Sequence, residues 1–104
     1  MDTARAVAKL EELPDTSAAP VLKLLGELDL STVPLIRDEL QAVLDRGPDT
    51  IVFDLSELQF MDSSGITLLV SVAQRAEVEL RNPQPIVRRV LELTGLLEVF
   101  HLNS

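Results

Sequence analysis

The chain has 104 residues, 46% of them hydrophobic, which suits one domain over residues 1–104 with an aliphatic core. Aromatics make up only 3%, with no Trp or Tyr, which argues against a module that stacks bases or sugars on rings. The net charge of −8 repels nucleic-acid backbones and anionic lipid, and the absence of cysteine excludes disulfides, thiolate metal sites and thiol nucleophiles.

The one histidine, His101, stands near the C-terminus and reads as a tail residue, a poor base for a zinc site or a Ser-His-Asp triad. No apolar stretch reaches the ~18–20 residues that span a bilayer, and no basic-then-apolar leader opens the chain. The expectation is a cytoplasmic protein without cofactor, membrane insertion or nucleic-acid partner.

Residues 4–12 read as an edge strand ahead of the connecting loop Pro14–Pro20. Val21 to Leu28 is a nearly continuous apolar run, too short for a typical helix, so it predicts a buried strand. The period then changes. Val33, Ile36, Leu40, Val43 and Leu44 share one helical face, with Ser31 or Thr32 placed to cap it, Pro34 in its first turn and Gly47-Pro48 after it. Thr50 to Leu55 is β-branched and apolar, another strand. Ser64 to Arg75 reads as a largely buried helix, and Glu77 to Arg81 alternates as a half-exposed strand. The link Ala73-Gln74-Arg75-Ala76 is short and lacks glycine, so the second helix must be short or end irregularly. Asn82 to Pro85 turns into an amphipathic helix carrying Ile86, Val87, Val90, Leu91 and Leu93, which Gly95 ends. Val99 to Leu102 completes the list as a short strand. Strands alternating with helices predict an α/β fold: a small, mostly parallel sheet packed by helices, with only the N-terminal edge strand antiparallel.

The informative segment is Phe60-Met61-Asp62-Ser63-Ser64-Gly65, between a buried strand and a buried helix. Ligands and partners of parallel sheets meet the carboxyl ends of strands, and this turn lies at one. Two readings stand side by side. In the first, Asp62 or Ser63 merely caps the helix and Gly65 allows close packing. In the second, a serine accepts phosphate, which the positive helix end tolerates. Phosphate adds roughly −1.5 to −2 charge beside Asp62, and a penalty of ~3 kcal/mol in a buried contact weakens binding about a hundredfold. No G-x-S-x-G elbow, nucleotide-binding glycine loop or histidine base accompanies the serines. An enzyme using Asp54, Asp62 and Ser63 for phosphoryl transfer is therefore the weaker alternative.

Four motifs then carry a resemblance: Gly26-Glu27-Leu28-Asp29 with Thr32; Val52-Phe53-Asp54-Leu55-Ser56; Phe60 to Gly65; and Leu91-Glu92-Leu93-Thr94-Gly95-Leu96. In this order and spacing the chain resembles a stand-alone STAS domain, the sulfate transporter and anti-sigma factor antagonist family. The resemblance implies that Ser63 is phosphorylated by a partner that is both anti-sigma factor and serine kinase. The unphosphorylated form would bind that partner and release the sigma factor, and a serine phosphatase would reverse the mark. It makes Asp62 a flank that positions the acceptor, and puts Asp29 and Thr32 on the same partner-facing edge. Met61 and Ser64 complete the expected partner-binding set. Phe60 is expected to line the core. The alternative within the family is a subunit docking on a transporter ATPase or in a sensory complex.

Overall fold

The computed structural model describes residues 7–14, 19–95 and 97–103. Their elements are β1 (Ala8–Leu13), β2 (Val21–Leu28), α1 (Val33–Leu44), β3 (Thr50–Met61), α2 (Ser63–Ala73), β4 (Glu77–Arg81), α3 (Pro85–Thr94), a 3-10 turn (Leu97–Val99) and β5 (His101–Asn103). The sheet runs β1-β2-β3-β4-β5, with β1 antiparallel to β2 and every other pair parallel. This is the mixed α/β sheet that the alternating pattern predicts. Residues 4–6 of the predicted first strand lie outside the described residues.

The buried face of α1 is the predicted set, Val33, Ile36, Leu40, Val43 and Leu44. α2 buries Gly65, Ile66, Leu68, Leu69 and Val72, and stops at Ala73 with Gln74 still in the right-handed region. Glycine is not needed there, because the N–H groups of Gln74, Arg75 and Ala76 donate to carbonyls of Val70 and Val72 and tighten the last turn. α1 and α2 pack on one another, α1 also on β1 and α2 on β3 and β4. α3 buries Val87 and Leu91 and ends at Gly95, but Ile86 and Leu93, expected on its apolar face, are exposed. They stand seven residues apart on one side of the helix, outside the strip that packs on the core. His101 is not a tail residue. It lies in β5, with Nε2 2.7 Å from Glu77 Oε1.

The largest departure is β3, which continues to Met61 instead of stopping at Leu55. Its pairing with β2 slips twice: Lys23 and Leu25 face Asp54 and Glu57, and Gly26 and Glu27 face Leu58 and Phe60. Each slip inserts one residue into β3 as a bulge. Leu55, Leu58 and Met61 therefore all point inward at a spacing of three. Such spacing does not read as a strand, whose inward residues should recur every two. The extension also outruns β4, whose pairing with β3 ends at Asp54–Arg81. α3 packs against β3, and Gln84 Nε2 donates to Ser56 O at 2.8 Å.

On the face opposite the core, Glu11, Lys23, Asp54 and Arg81 stand in register across four strands, alternating in sign. Lys23 reaches Glu57 at 2.7 Å, and that hydrogen bond holds its ammonium above the ordinary lysine value, helped by Asp54 and Glu11. Opposite charges on neighbouring strands favour this pairing, while Val21 and Val52, two residues along the same face, are buried.

Candidate functional site

The longer β3 decides where the Asp62-Ser63-Ser64-Gly65 turn sits. Met61 is paired with Leu28, the last residue of β2, and Asp62 N–H donates to Leu28 O at 3.1 Å. The turn is thus pinned beside the loop that joins β2 to α1.

Asp62 is extended, with φ −111° and ψ −166°, and its Oδ1 accepts the Ser64 N–H at 2.8 Å. Its carbonyl accepts the Ile66 N–H at 3.2 Å. Asp62 is therefore the N-cap of α2, satisfying one of the donors that a helix start leaves open. Gly65 is buried, and a Cβ there would lie 2.5 Å from Met61 Cγ and 3.0 Å from Leu28 Cβ. Only a glycine lets α2 start this close to the ends of β2 and β3.

Ser63 is what capping leaves over. It is the first residue of α2, it is exposed, and its hydroxyl makes no hydrogen bond among the described residues. Only its carbonyl is engaged, by Thr67 Oγ1 at 2.9 Å. Ser64 is half-buried. The cap reading thus accounts for Asp62 and Gly65 and leaves the Ser63 hydroxyl presented to solvent at a positive helix end.

The neighbouring loop is held by its own side chains. Asp29 Oδ1 accepts from Ser31 N at 2.9 Å, Ser31 Oγ at 2.7 Å and Thr32 N at 3.1 Å. The Ser31 hydroxyl, followed by the two backbone donors, holds the Asp29 carboxyl below its ordinary value of 3.8, although desolvation pushes the other way. Thr32 Oγ1 accepts from Asp29 N at 2.9 Å and donates to Glu27 O at 2.7 Å. The expected helix-capping role of Thr32 does not appear, since its side chain makes no cap bond to α1. Its hydroxyl is spent joining the end of β2 to the loop.

Two expected contact residues cannot touch a partner directly. Met61 is 0% exposed and Thr32 is 1% exposed. Phe60, expected in the core, is 36% exposed. The exchange between Phe60 and Met61 follows from the second bulge, which turns the strand by one residue just before the turn. Leu30, which the sequence reading did not single out, is 79% exposed in the loop beside the turn. Its signal was a leucine inside the polar stretch Asp29 to Thr32, out of phase with both β2 and α1. Asp54 lies back along β3, where its Oδ1 accepts from Ser56 N at 3.0 Å. Most of the bulged half of that strand separates it from Ser63, so the carboxylates and the hydroxyl do not form a phosphoryl-transfer cluster.

The Asp29 geometry carries a pH expectation with a definite sign. A carboxyl depressed by folding contributes stability that is present above its unfolded value of 3.8 and lost as pH falls through the lower folded value. In a carboxyl-carbon NMR titration Asp29 should titrate below 3.8, and Ser31→Ala should move the midpoint back up. An unchanged midpoint in Ser31→Ala would show that the hydroxyl is not the leading cause.

A profile of the STAS domain matches residues 8–104 of the chain. The anti-sigma F factor antagonist of Lysinibacillus sphaericus is 37% identical over 87 residues, covering 78% of this chain and 74% of that protein. An anti-sigma factor antagonist from Mycobacterium paratuberculosis superposes with a TM-score of 0.80 at 28% identity, over 93% of this chain and 84% of that one. SpoIIAA superposes in its unphosphorylated form with a TM-score of 0.72 at 30% identity, over 93% of this chain and 88% of that one. The phosphorylated form of the Bacillus cell fate determinant SpoIIAA gives 0.62 at 31%, over 93% and 91%. With the mixed five-stranded sheet, the capped turn after its third strand and a match running from β1 to the last residue, this chain belongs to the STAS domain family.

Proposed function

We propose that this protein is an anti-sigma factor antagonist whose binding is switched by phosphate on Ser63. One observation carries the site assignment: the Ser63 hydroxyl is exposed and unengaged among the described residues, while the cap of the same helix is supplied by Asp62. Relatives that are named anti-sigma factor antagonists, one of them known in a phosphorylated form, support the same reading.

The unphosphorylated chain binds an anti-sigma factor that is also a serine kinase, and so releases the sigma factor. Ser63 Oγ attacks the γ-phosphorus of ATP held by that kinase; the bond to the β-phosphate oxygen breaks, ADP leaves, and the hydroxyl proton passes to a kinase base. The chain is the substrate, contributes no catalytic group and acts in the cytoplasm. Asp62 holds the backbone so that Ser63 points outward. Asp29 and Thr32 act indirectly, by setting the shape of the adjoining loop. Leu30 and Phe60 supply the apolar contact area beside the acceptor, which is the composition expected at the centre of an interface. A serine phosphatase returns the chain to its binding form.

Incubation with the cognate anti-sigma kinase and ATP, followed by peptide mass spectrometry, tests this. Phosphate is expected on Ser63. Phosphate found only at Ser64 or elsewhere overturns the site, and an anti-sigma factor that fails to bind the unphosphorylated chain overturns the function.

A further inference from the structure

We infer that two copies of this chain pair through their β1 edges, about a two-fold axis near Leu10, into one continuous sheet. Among the described residues no strand lies on the outer side of β1. Glu27 N–H donates to Val7 O at 2.8 Å, and the β1–β2 register runs without a break from Ala8 to Leu13. Antiparallel pairing alternates the direction of the backbone groups, so the N–H and C=O of Ala8, Leu10 and Glu12 point away from β2. An edge with such unused groups is a template for another strand.

The side chains select a second copy as that strand. With Leu10 opposite Leu10 of the second copy, Ala8 faces Glu12 and Lys9 faces Glu11, each pair occurring twice. Lys9 is exposed and reaches Glu11 of its own strand only at 3.6 Å. Moving the register by two residues puts Glu11 opposite Glu11, so charge favours one alignment.

The helix above the edge repeats the pattern. A groove between β1 and α1 is lined by Leu10, Glu12, Glu39, Ala42, Val43 and Arg46. Leu10 shares it with Ala42 and Val43, so an axis near Leu10 passes the middle of that helix face. The two-fold then sets the α1 helices antiparallel about Ala42, which is exposed, with Glu39 facing Arg46 of the second copy. Glu39 has no ion pair among the described residues, and Arg46 meets Glu12 at 2.8 Å beside the same groove. Strand edge and helix face are thus self-complementary about the same axis, as a two-fold contact requires.

Sedimentation velocity over a range of concentrations should show a reversible dimer. Lys9→Glu and Glu39→Arg should each raise its dissociation constant about tenfold or more, because each puts like charges opposite one another. Mixing the Lys9→Glu protein with the Glu11→Lys protein should restore dimers of one copy each. The chain has no cysteine, so Ala42→Cys supplies a single thiol near the axis. A short bis-maleimide should link it to its counterpart and leave Gln74→Cys, at the exposed end of α2, unlinked. Circular dichroism keeps loss of folding apart from loss of pairing. A monomer at every concentration overturns the inference, as does a dimer that ignores both charge reversals or links equally well at position 74.

Discussion

Ser63→Asp should weaken binding to the anti-sigma factor by up to about a hundredfold, or about 2.7 kcal/mol, while leaving the fold slightly more stable. The two effects have opposite signs for one physical reason. A carboxylate at the first position of α2 faces the positive helix end, which contributes about 0.5 kcal/mol to the isolated chain. In the complex the same charge is taken out of water beside Asp62, and two adjacent anions lacking a cationic partner lose more solvation than the helix end returns. A phosphoserine, with its larger charge, should weaken binding at least as much as the aspartate. Ser63→Ala should bind within a few-fold of the original and melt at the same temperature, because the hydroxyl has no intramolecular bond to lose among the described residues. Titration calorimetry with thermal melts on the same samples reads both quantities. Equal affinity of the alanine and aspartate variants would remove charge as the switch.

Gly65→Ala should lower stability by about 2 kcal/mol, roughly 10 °C in melting temperature for a domain of this size. Helix propensity alone predicts the reverse, a gain of up to about 1 kcal/mol. Contact decides the sign. The added methyl group would sit 2.5 Å from Met61 Cγ, 2.9 Å from Met61 Sδ and 3.0 Å from Leu28 Cβ. Met61 is fully buried and Leu28 Cβ is fixed by its strand, so neither can move aside at little cost. The helix start must lift instead, taking Ser63 with it, and phosphorylation should slow as well. The contact can be isolated by a double-mutant cycle. Met61→Ala alone opens a cavity and destabilises by about 2–5 kcal/mol, but it should relieve most of the cost of Gly65→Ala. Strictly additive effects would show that the two residues do not press on each other.

The order of elements, the antiparallel first pair and the buried face of α1 are all legible in the chain, because each rests on local periodicity and on turn residues such as Gly47-Pro48 and Gly95. The turn at Asp62 to Gly65 is legible too, since its chemistry lies in adjacent residues. What local patterns could not supply was the inward or outward assignment around it. β3 is bulged twice against β2, and a bulge is set by the register of the neighbouring strand, so Phe60 faces out and Met61 in against the simplest reading of the apolar run. Thr32 looks like a helix cap by position, yet its hydroxyl is claimed by Glu27 and Asp29 across the end of β2. Ile86 and Leu93 look like core by periodicity and are left exposed, because burial depends on which part of a helix its neighbours cover. The sequence by itself determined which hydroxyls could carry a charge switch and narrowed the helix cap to Asp62 or Ser63. Only the packing of β2 against β3 decided which of those groups the surface presents, since direction in a sheet is a property of pairs of strands and not of one.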